Sequence, residues 1–275
     1  MSAVMVATPA REGSVVGKDR DYISFSAIRA YQACPLKYFF KYVAGLPEES
    51  VAATLIFGTA IHRAIEHHYR ELLAGNAPPT VDAMIQEYSA GWQDREGTQV
   101  RFGKEETRQD LDETAKRMLA AFAVSSLAKP TGRILAVEET LRGLVIPGLP
   151  DLLGRVDLII ETDTELVISD WKTSRSRWSA EQAEDATEQL LLYAELAQDF
   201  APGKRVRLEF VVLTKTKEVA VDQFLSAVDS LRVKRTKQVV ERVWRAIEAG
   251  HFYPAPSPMN CAGCPYRQPC RAWCG

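Results

Sequence analysis

The chain has 275 residues, 46% of them hydrophobic and 25% charged, enough for one large globular domain or two small ones around a substantial core. No apolar stretch approaches the roughly 20 residues that span a bilayer, and the formal net charge of −2 excludes a global field that would attract a polyanion. The opening Met1–Pro9 has no basic segment leading into a long apolar one, so the expected location is cytoplasmic, where clustered cysteines bind metal more often than they form disulfides.

Residues 1 to about 20 are small, polar and Gly/Pro-containing, and are expected to form a loose tail. Ser24 or Ser26 can cap a helix running to about Tyr42, with Pro35 kinking or interrupting it. A second helix is expected from about Gly58 to Ala74, ending at Gly75-Asn-Ala-Pro-Pro, followed by helices over about Val81–Arg95 and Glu105–Ser125. The pattern then changes to strands: Arg133–Leu141, Leu144–Ile146, and a hairpin of Leu152–Glu161 with Glu165–Asp170 across Thr162-Asp163-Thr164. A helix from Ala180 to about Phe200, a strand over Val206–Thr214, a short strand near Val219 and a long helix from about Phe224 to Ala249 complete the series. The order describes an α/β core with an N-terminal helical insertion, here placed at about 76–130, a core at 131–250 and a cysteine segment at 251–275, all within one unit from residue 21.

Asp157 and Asp170 fall near the ends of adjacent strands of that hairpin, and Lys172 follows two residues on, on the same strand face as Asp170. Carboxylate oxygens suit Mg²⁺ or Mn²⁺, and a lysine beside such an ion can offset the charge that develops on a phosphoryl group. An Asp-x-Lys alone is more often a surface ion pair. Here, however, it follows an apolar strand, Leu166–Ile168, where a carboxylate is not expected without a purpose. Gln189 and Tyr193, spaced i and i+4, share a face of the following helix. His62 stands in Phe57-Gly-Thr-Ala-Ile-His62; His67 and His68 read as ordinary core or surface histidines, and His62 with Glu66 does not complete a His-Glu-x-x-His zinc site.

The series Gly58-Thr-x-x-His62, Gly154-Arg-x-Asp157, Asp170-x-Lys172-Thr and Gln189-x-x-x-Tyr193 resembles the RecB-like branch of the PD-(D/E)XK nuclease superfamily, over roughly residues 24 to 274. The resemblance implies a restriction-endonuclease-like core, a central mixed sheet flanked by helices. It implies that His62, Asp157, Asp170 and the backbone carbonyl of Trp171 ligate a divalent metal and that Lys172 is the catalytic lysine. Gln189 and Tyr193 would contact nucleic acid or support the lysine, and Glu139 would be an outer ligand or merely structural.

Five cysteines occur, and Cys261-x2-Cys264-x5-Cys270 with the distant Cys34 is a spacing compatible with a metal site. The same resemblance, to AddB-type subunits and CRISPR-associated single-strand exonucleases, implies a 4Fe-4S cluster that staples the two ends of the chain together. Tetrahedral zinc is the rival ligand, and Cys274 is either a bystander or a competitor of Cys270.

From Ala201 to Arg245 eleven Lys or Arg stand against five Asp or Glu, and Arg175 and Arg177 follow the Asp170/Lys172 segment; such a stripe either tracks a phosphate backbone or is a solvated face. With no Gly-x4-Gly-Lys-Ser/Thr loop, the chain has no ATP-driven motor of its own. The expected function is a metal-dependent DNA nuclease acting on single strands or free ends, partnered by a separate helicase or recombinase or acting alone. The contrasting expectation is a non-catalytic DNA-binding scaffold subunit.

Overall fold

A computed structural model describes residues 21–95 and 97–274; the expected tail at 1–20 lies outside the described residues. Its centre is a six-stranded mixed sheet. Strands β4 (Arg133–Gly143), β5 (Asp151–Glu161) and β6 (Glu165–Ser174) form an antiparallel meander. Helices α6 (Ala180–Ala186) and α7 (Glu188–Ala197) then cross over to β7 (Arg205–Thr214), which pairs with β6 in parallel. An antiparallel strand β8 (Val221–Ala227) closes that side. A three-residue strand β1 (Tyr22–Ser24), which local sequence does not signal, pairs in parallel with the start of β5.

Helices cover both faces. One apolar cluster joins the sheet to α1 (Phe25–Ala33), α7 and α8 (Ser230–Glu248), through residues such as Ile28, Leu191 and Trp244. The other joins the opposite face to α3 (Ala53–Leu73), α4 (Val81–Gln93) and α5 (Arg108–Val124), through Phe57, Ile61, Tyr88 and Phe122. This is the mixed α/β architecture expected of the sequence, with the sheet buried on both sides. No described helix is long and apolar enough to cross a membrane.

Several boundaries moved for physical reasons. Ser24, not Ser26, caps α1 by accepting from Ala27 N at 3.4 Å. The residue before a proline avoids the helical region. Cys34 accordingly adopts an extended conformation (φ −164°, ψ 107°), so Pro35 breaks the helix and restarts it as α2 (Pro35–Tyr38). Helix α3 begins at Ala53 and runs through Gly58, so that glycine lies within the helix and does not start it. The expected strand at Leu144–Ile146 is irregular, the helix expected over Ala180–Phe200 breaks at Thr187, and β6 continues past Asp170 to Ser174. Phe224 does not begin a helix either. It pairs with Phe210 in β8, and α8 starts only after Asp229, whose side chain caps it. Pairing along the whole of β8 outweighs the weak local preference of Phe-Leu-Ser-Ala.

Candidate functional site

The β5–β6 ladder runs only from Glu161↔Leu166 to Leu158↔Ser169. Beyond it the strands part, β6 staying with β7 as far as Ser174 and β5 with β4 as far as Leu152. The first residues past the last rung are Asp157 and Asp170. Val156 and Ile159 join one apolar cluster while Leu158 and Ile160 join the other, so the two-residue alternation of β5 fails at Asp157. The Asp157 carboxylate replaces the missing strand partner: its Oδ2 accepts the Trp171 backbone N–H at 2.6 Å. Both aspartates are buried, at 7% and 6% exposure.

Three further groups close on this fork. His62, from α3, places Nδ1 3.5 Å from Asp157 Oδ2 and 3.8 Å from Glu138 Oε1. Trp171 is fully buried, stacked on Tyr69 with centroids 5.4 Å apart, and meets the His62 ring edge-on at 5.7 Å. Lys172 Nζ stands 2.6 Å from Asp170 Oδ2. Among the described residues, His62, Glu138 and Asp157 each offer a ligand atom within 4.8 Å of the others. Asp170 stands outside that trio.

Glu138 is the residue that sequence reasoning missed. The expected carboxylate was Glu139, but Glu139 is exposed and its neighbour turns inward. A bulge at Leu135 shifts the β4–β5 register, and Glu138 adopts a left-handed backbone (φ 52°), rare for a residue with a Cβ. Arg155 Nε holds the Glu138 Oε2 at 2.5 Å. Adjacent glutamates were the only signal, and choosing between them needs the left-handed backbone at Glu138, which local sequence does not announce.

Burial alone would depress the His62 pKa, but Asp157 foremost, with Glu138 and Asp170, outweighs it and pushes the group up to about 10. Burial raises Asp170 to about 6 despite the Lys172 ammonium and with the Asp157 charge adding to the rise. For Lys172, burial opposes the charge, and Asp170 overcomes it and raises the pKa. Asp170 Oδ2, although close to Lys172 Nζ, has no aligned hydrogen-bond donor among the described residues. Two converging carboxylates, Glu138 and Asp157, together with the His62 imidazole form a donor set that suits a hard divalent cation, with Asp170 beside them and held by Lys172.

Gly154 and Tyr193 turn out to be one device. A Cβ on Gly154 would lie 2.3 Å from Tyr193 Cε1, so the phenol ring lies directly against the strand where only glycine permits it. Gln189 Nε2 donates to the Tyr193 hydroxyl at 3.1 Å, and Tyr193 lies near enough to Asp170 and Asp157 to feel both charges. Arg175 is exposed just beyond β6. His68 is buried, with Nε2 2.8 Å from the Ala128 carbonyl, a core role as expected. A cleft of about 900 Å³ opens over the fork, lined by His62, Arg63, Glu138, Arg155, Asp157 and Lys172 among others.

The cysteines lie elsewhere. Cys34, Cys264 and Cys270 pack around Leu36, Phe40 and Tyr266, and the Ala255 N–H points at Cys34 Sγ at 3.5 Å. Burial raises the Cys270 thiol pKa, and the charges of Cys34, Cys264 and Cys261 raise it further. No three of the thiols come within 4.8 Å of one another, whereas a tetrahedral zinc with ~2.3 Å bonds would hold its sulfurs about 3.8 Å apart. Cys274 is exposed.

The family model for the PD-(D/E)XK nuclease superfamily matches residues 22–271, and the chain belongs to that superfamily. Among solved structures, it is similar to a Eubacterium rectale protein described as "Putative exonuclease": TM-score 0.56, 12% identity, covering 92% of this chain and 88% of that one. At that identity the likeness concerns the fold. A second similar structure, SSO0001, has 18% identity over 90% of this chain and 95% of its own, but its TM-score of 0.33 carries no argument. Comparison with curated proteins gives no match.

Gly154→Ala should cost about 1–3 kcal/mol by forcing Tyr193 off the strand. The Gly154→Ala/Tyr193→Ala pair should then be more stable than the sum of the single losses, as read by urea denaturation; strict additivity would show that the two do not touch. Because His62 holds a proton up to about pH 10 when no cation is bound, cation binding must expel it. Calorimetric Mn²⁺ affinity should therefore rise with pH, by up to about tenfold per unit through neutrality, with proton release. A flat profile would remove His62 from the site.

Proposed function

We propose that the chain is a metal-dependent deoxyribonuclease, an exonuclease acting on single-stranded DNA or DNA ends. The observation that carries this reading is the convergence of His62, Glu138, Asp157 and Lys172 on the wall of a cleft at the β5–β6 fork, with buried Asp170 paired to Lys172. Residues 21–275 act as one nuclease unit, with α4 and α5 packed on α3 behind the site.

His62, Asp157 and Glu138 would hold the cation, with Asp170 and the Trp171 carbonyl as further ligands. When bound, Mg²⁺ or Mn²⁺ supplies Lewis-acid polarisation of the phosphoryl oxygen and a lowered pKa for water. Lys172 lies within reach of the scissile phosphate, where its ammonium offsets the charge of the pentacovalent transition state. Asp170 keeps that ammonium charged and pointed at the fork. Tyr193, set against Gly154 and bonded to Gln189, fixes the start of β5 that leads into Asp157. Lacking a nucleotide-binding loop, the enzyme receives its strand from free ends or from a separate helicase or recombinase.

The finer cofactor reading is a 4Fe-4S cluster on Cys34, Cys261, Cys264 and Cys270. What supports it is the sequence spacing of these four cysteines and the packing of Cys34, Cys264 and Cys270 on one small apolar cluster of Leu36, Phe40 and Tyr266. An amide directed at Cys34 sulfur is the kind of contact that tunes such clusters.

Cleavage of end-labelled single-stranded DNA should need added Mg²⁺ or Mn²⁺ and stop with chelator. Lys172→Ala should lower the rate at least ~10²-fold while binding persists. A pure, metal-replete chain that binds DNA tightly but leaves it intact would make it a scaffold subunit instead. Anaerobically purified protein should contain iron and acid-labile sulfide with broad visible absorption, lost in Cys264→Ala. A colourless, zinc-loaded protein would overturn the cluster.

A further inference from the structure

Lys215 lies beside the cleft, held by residues next in sequence to its lining. Lys172, Thr173 and Gly58 line the cleft, and their neighbours Ser174 and Phe57 both contact Lys215. Its backbone N–H donates to the Ser174 carbonyl at 2.7 Å, and its Nζ stands 4.4 Å over the Phe57 ring. Phe57 is fully buried, so the ring is a fixed platform that holds the ammonium in place.

The charge around this lysine is unbalanced. Arg175, from the end of β6, lies close enough to repel it, while Glu106 attracts it more weakly. Neither cation makes an ion pair among the described residues, in contrast to Arg177 on the same segment, which is bound by Asp222 at 2.7 Å. Arg175 follows Ser174, whose carbonyl accepts from the Lys215 amide, so two like charges, one of them partly desolvated, share this corner, which is unfavourable unless an anion joins them. The span fits that anion. Ser174 lies two residues beyond Lys172, about 7 Å along β6, on the order of one nucleotide step from the scissile position.

We propose that Lys215 and Arg175 form a phosphate subsite that grips the backbone of the substrate strand one or two nucleotides from the bond being cut. The inference rests on the nuclease reading above and adds a positioning site to it. Neither residue touches the reacting atoms; both hold the strand in register with Lys172.

The test uses Lys215→Gln and Arg175→Gln, with Lys217→Gln, an exposed lysine two residues on, as the control. Two substrates are compared: a labelled single-stranded 12-mer, and the p-nitrophenyl ester of a mononucleotide, which has one phosphate and cannot reach the subsite. Lys215→Gln should raise KM for the 12-mer about tenfold with kcat held, leave the ester unchanged, and reduce the slope of log binding constant against log salt by ~0.7. Arg175→Gln should do the same and Lys217→Gln should do neither. Wild-type behaviour in both variants, equal losses on both substrates, or the same effect from Lys217→Gln would each overturn the subsite. If the wild-type chain cuts neither substrate, the nuclease reading fails, and an unaltered salt slope in Lys215→Gln would still overturn the subsite by itself.

Discussion

A carboxylate standing in for a strand is the constraint on which the rest of this molecule depends. Where β6 leaves β5, the Trp171 amide would be stranded in the interior, and a buried N–H without a partner costs as much as a lost hydrogen bond. Asp157 supplies that partner from the side. The arrangement holds the sheet together across its own split and brings Asp157 and Asp170 close to each other, which ordinary cross-strand pairing would penalise. Each neighbouring feature can be read as a way of making that pair tolerable.

Three positive groups balance the excess of acid: His62 against Asp157, Arg155 against Glu138 and Lys172 against Asp170. Burial, with the Asp157 charge adding to it, still raises Asp170 to about 6 against the pull of Lys172. Rigidity comes from the second apolar cluster. Trp171 is sealed against Tyr69, and α3 is pressed on α4 so closely that a Cβ at Gly91 would meet the Ala60 backbone at 3.1 Å. His62 is therefore carried by a helix with little freedom to retreat.

The two ends of the described chain meet through hydrogen bonds. Tyr31 donates to the His251 carbonyl at 2.6 Å, Leu36 N to Tyr253 O at 3.0 Å and Asn260 to the Ala33 carbonyl at 2.6 Å. Pro35 turns Cys34 out of its helix toward this junction, so a local backbone rule sets the position of the one N-terminal thiol in the set. Arg101, from the helical segment, reaches the Gly263 carbonyl at 3.0 Å and ties that segment to the same corner.

The hairpin of β5 and β6, the long helices and the α/β class were readable from periodicity and turn residues, because those signals are local. His62, Asp157, Asp170, Lys172, Gln189 and Tyr193 were singled out through a family resemblance; the fold brings the first four to the fork, with Tyr193 against Gly154 and Gln189 bonded to it. What local sequence could not decide was everything that depends on contact between distant segments. Strand β1 pairs with the edge that β5 offers, β8 is a strand because β7 pairs with it, and Glu138 takes the place of Glu139 through its own left-handed backbone, which breaks the alternation of the strand. Even the glycine of Gly154-Arg-Val-Asp157 takes its reason from Tyr193, thirty-nine positions away. The amino-acid order thus determined which chemical groups are present and roughly on which elements. Their arrangement around a single point was settled by the parting of two strands, since burying an unpaired amide forces the nearest carboxylate inward, a long-range demand that no stretch of sequence expresses alone.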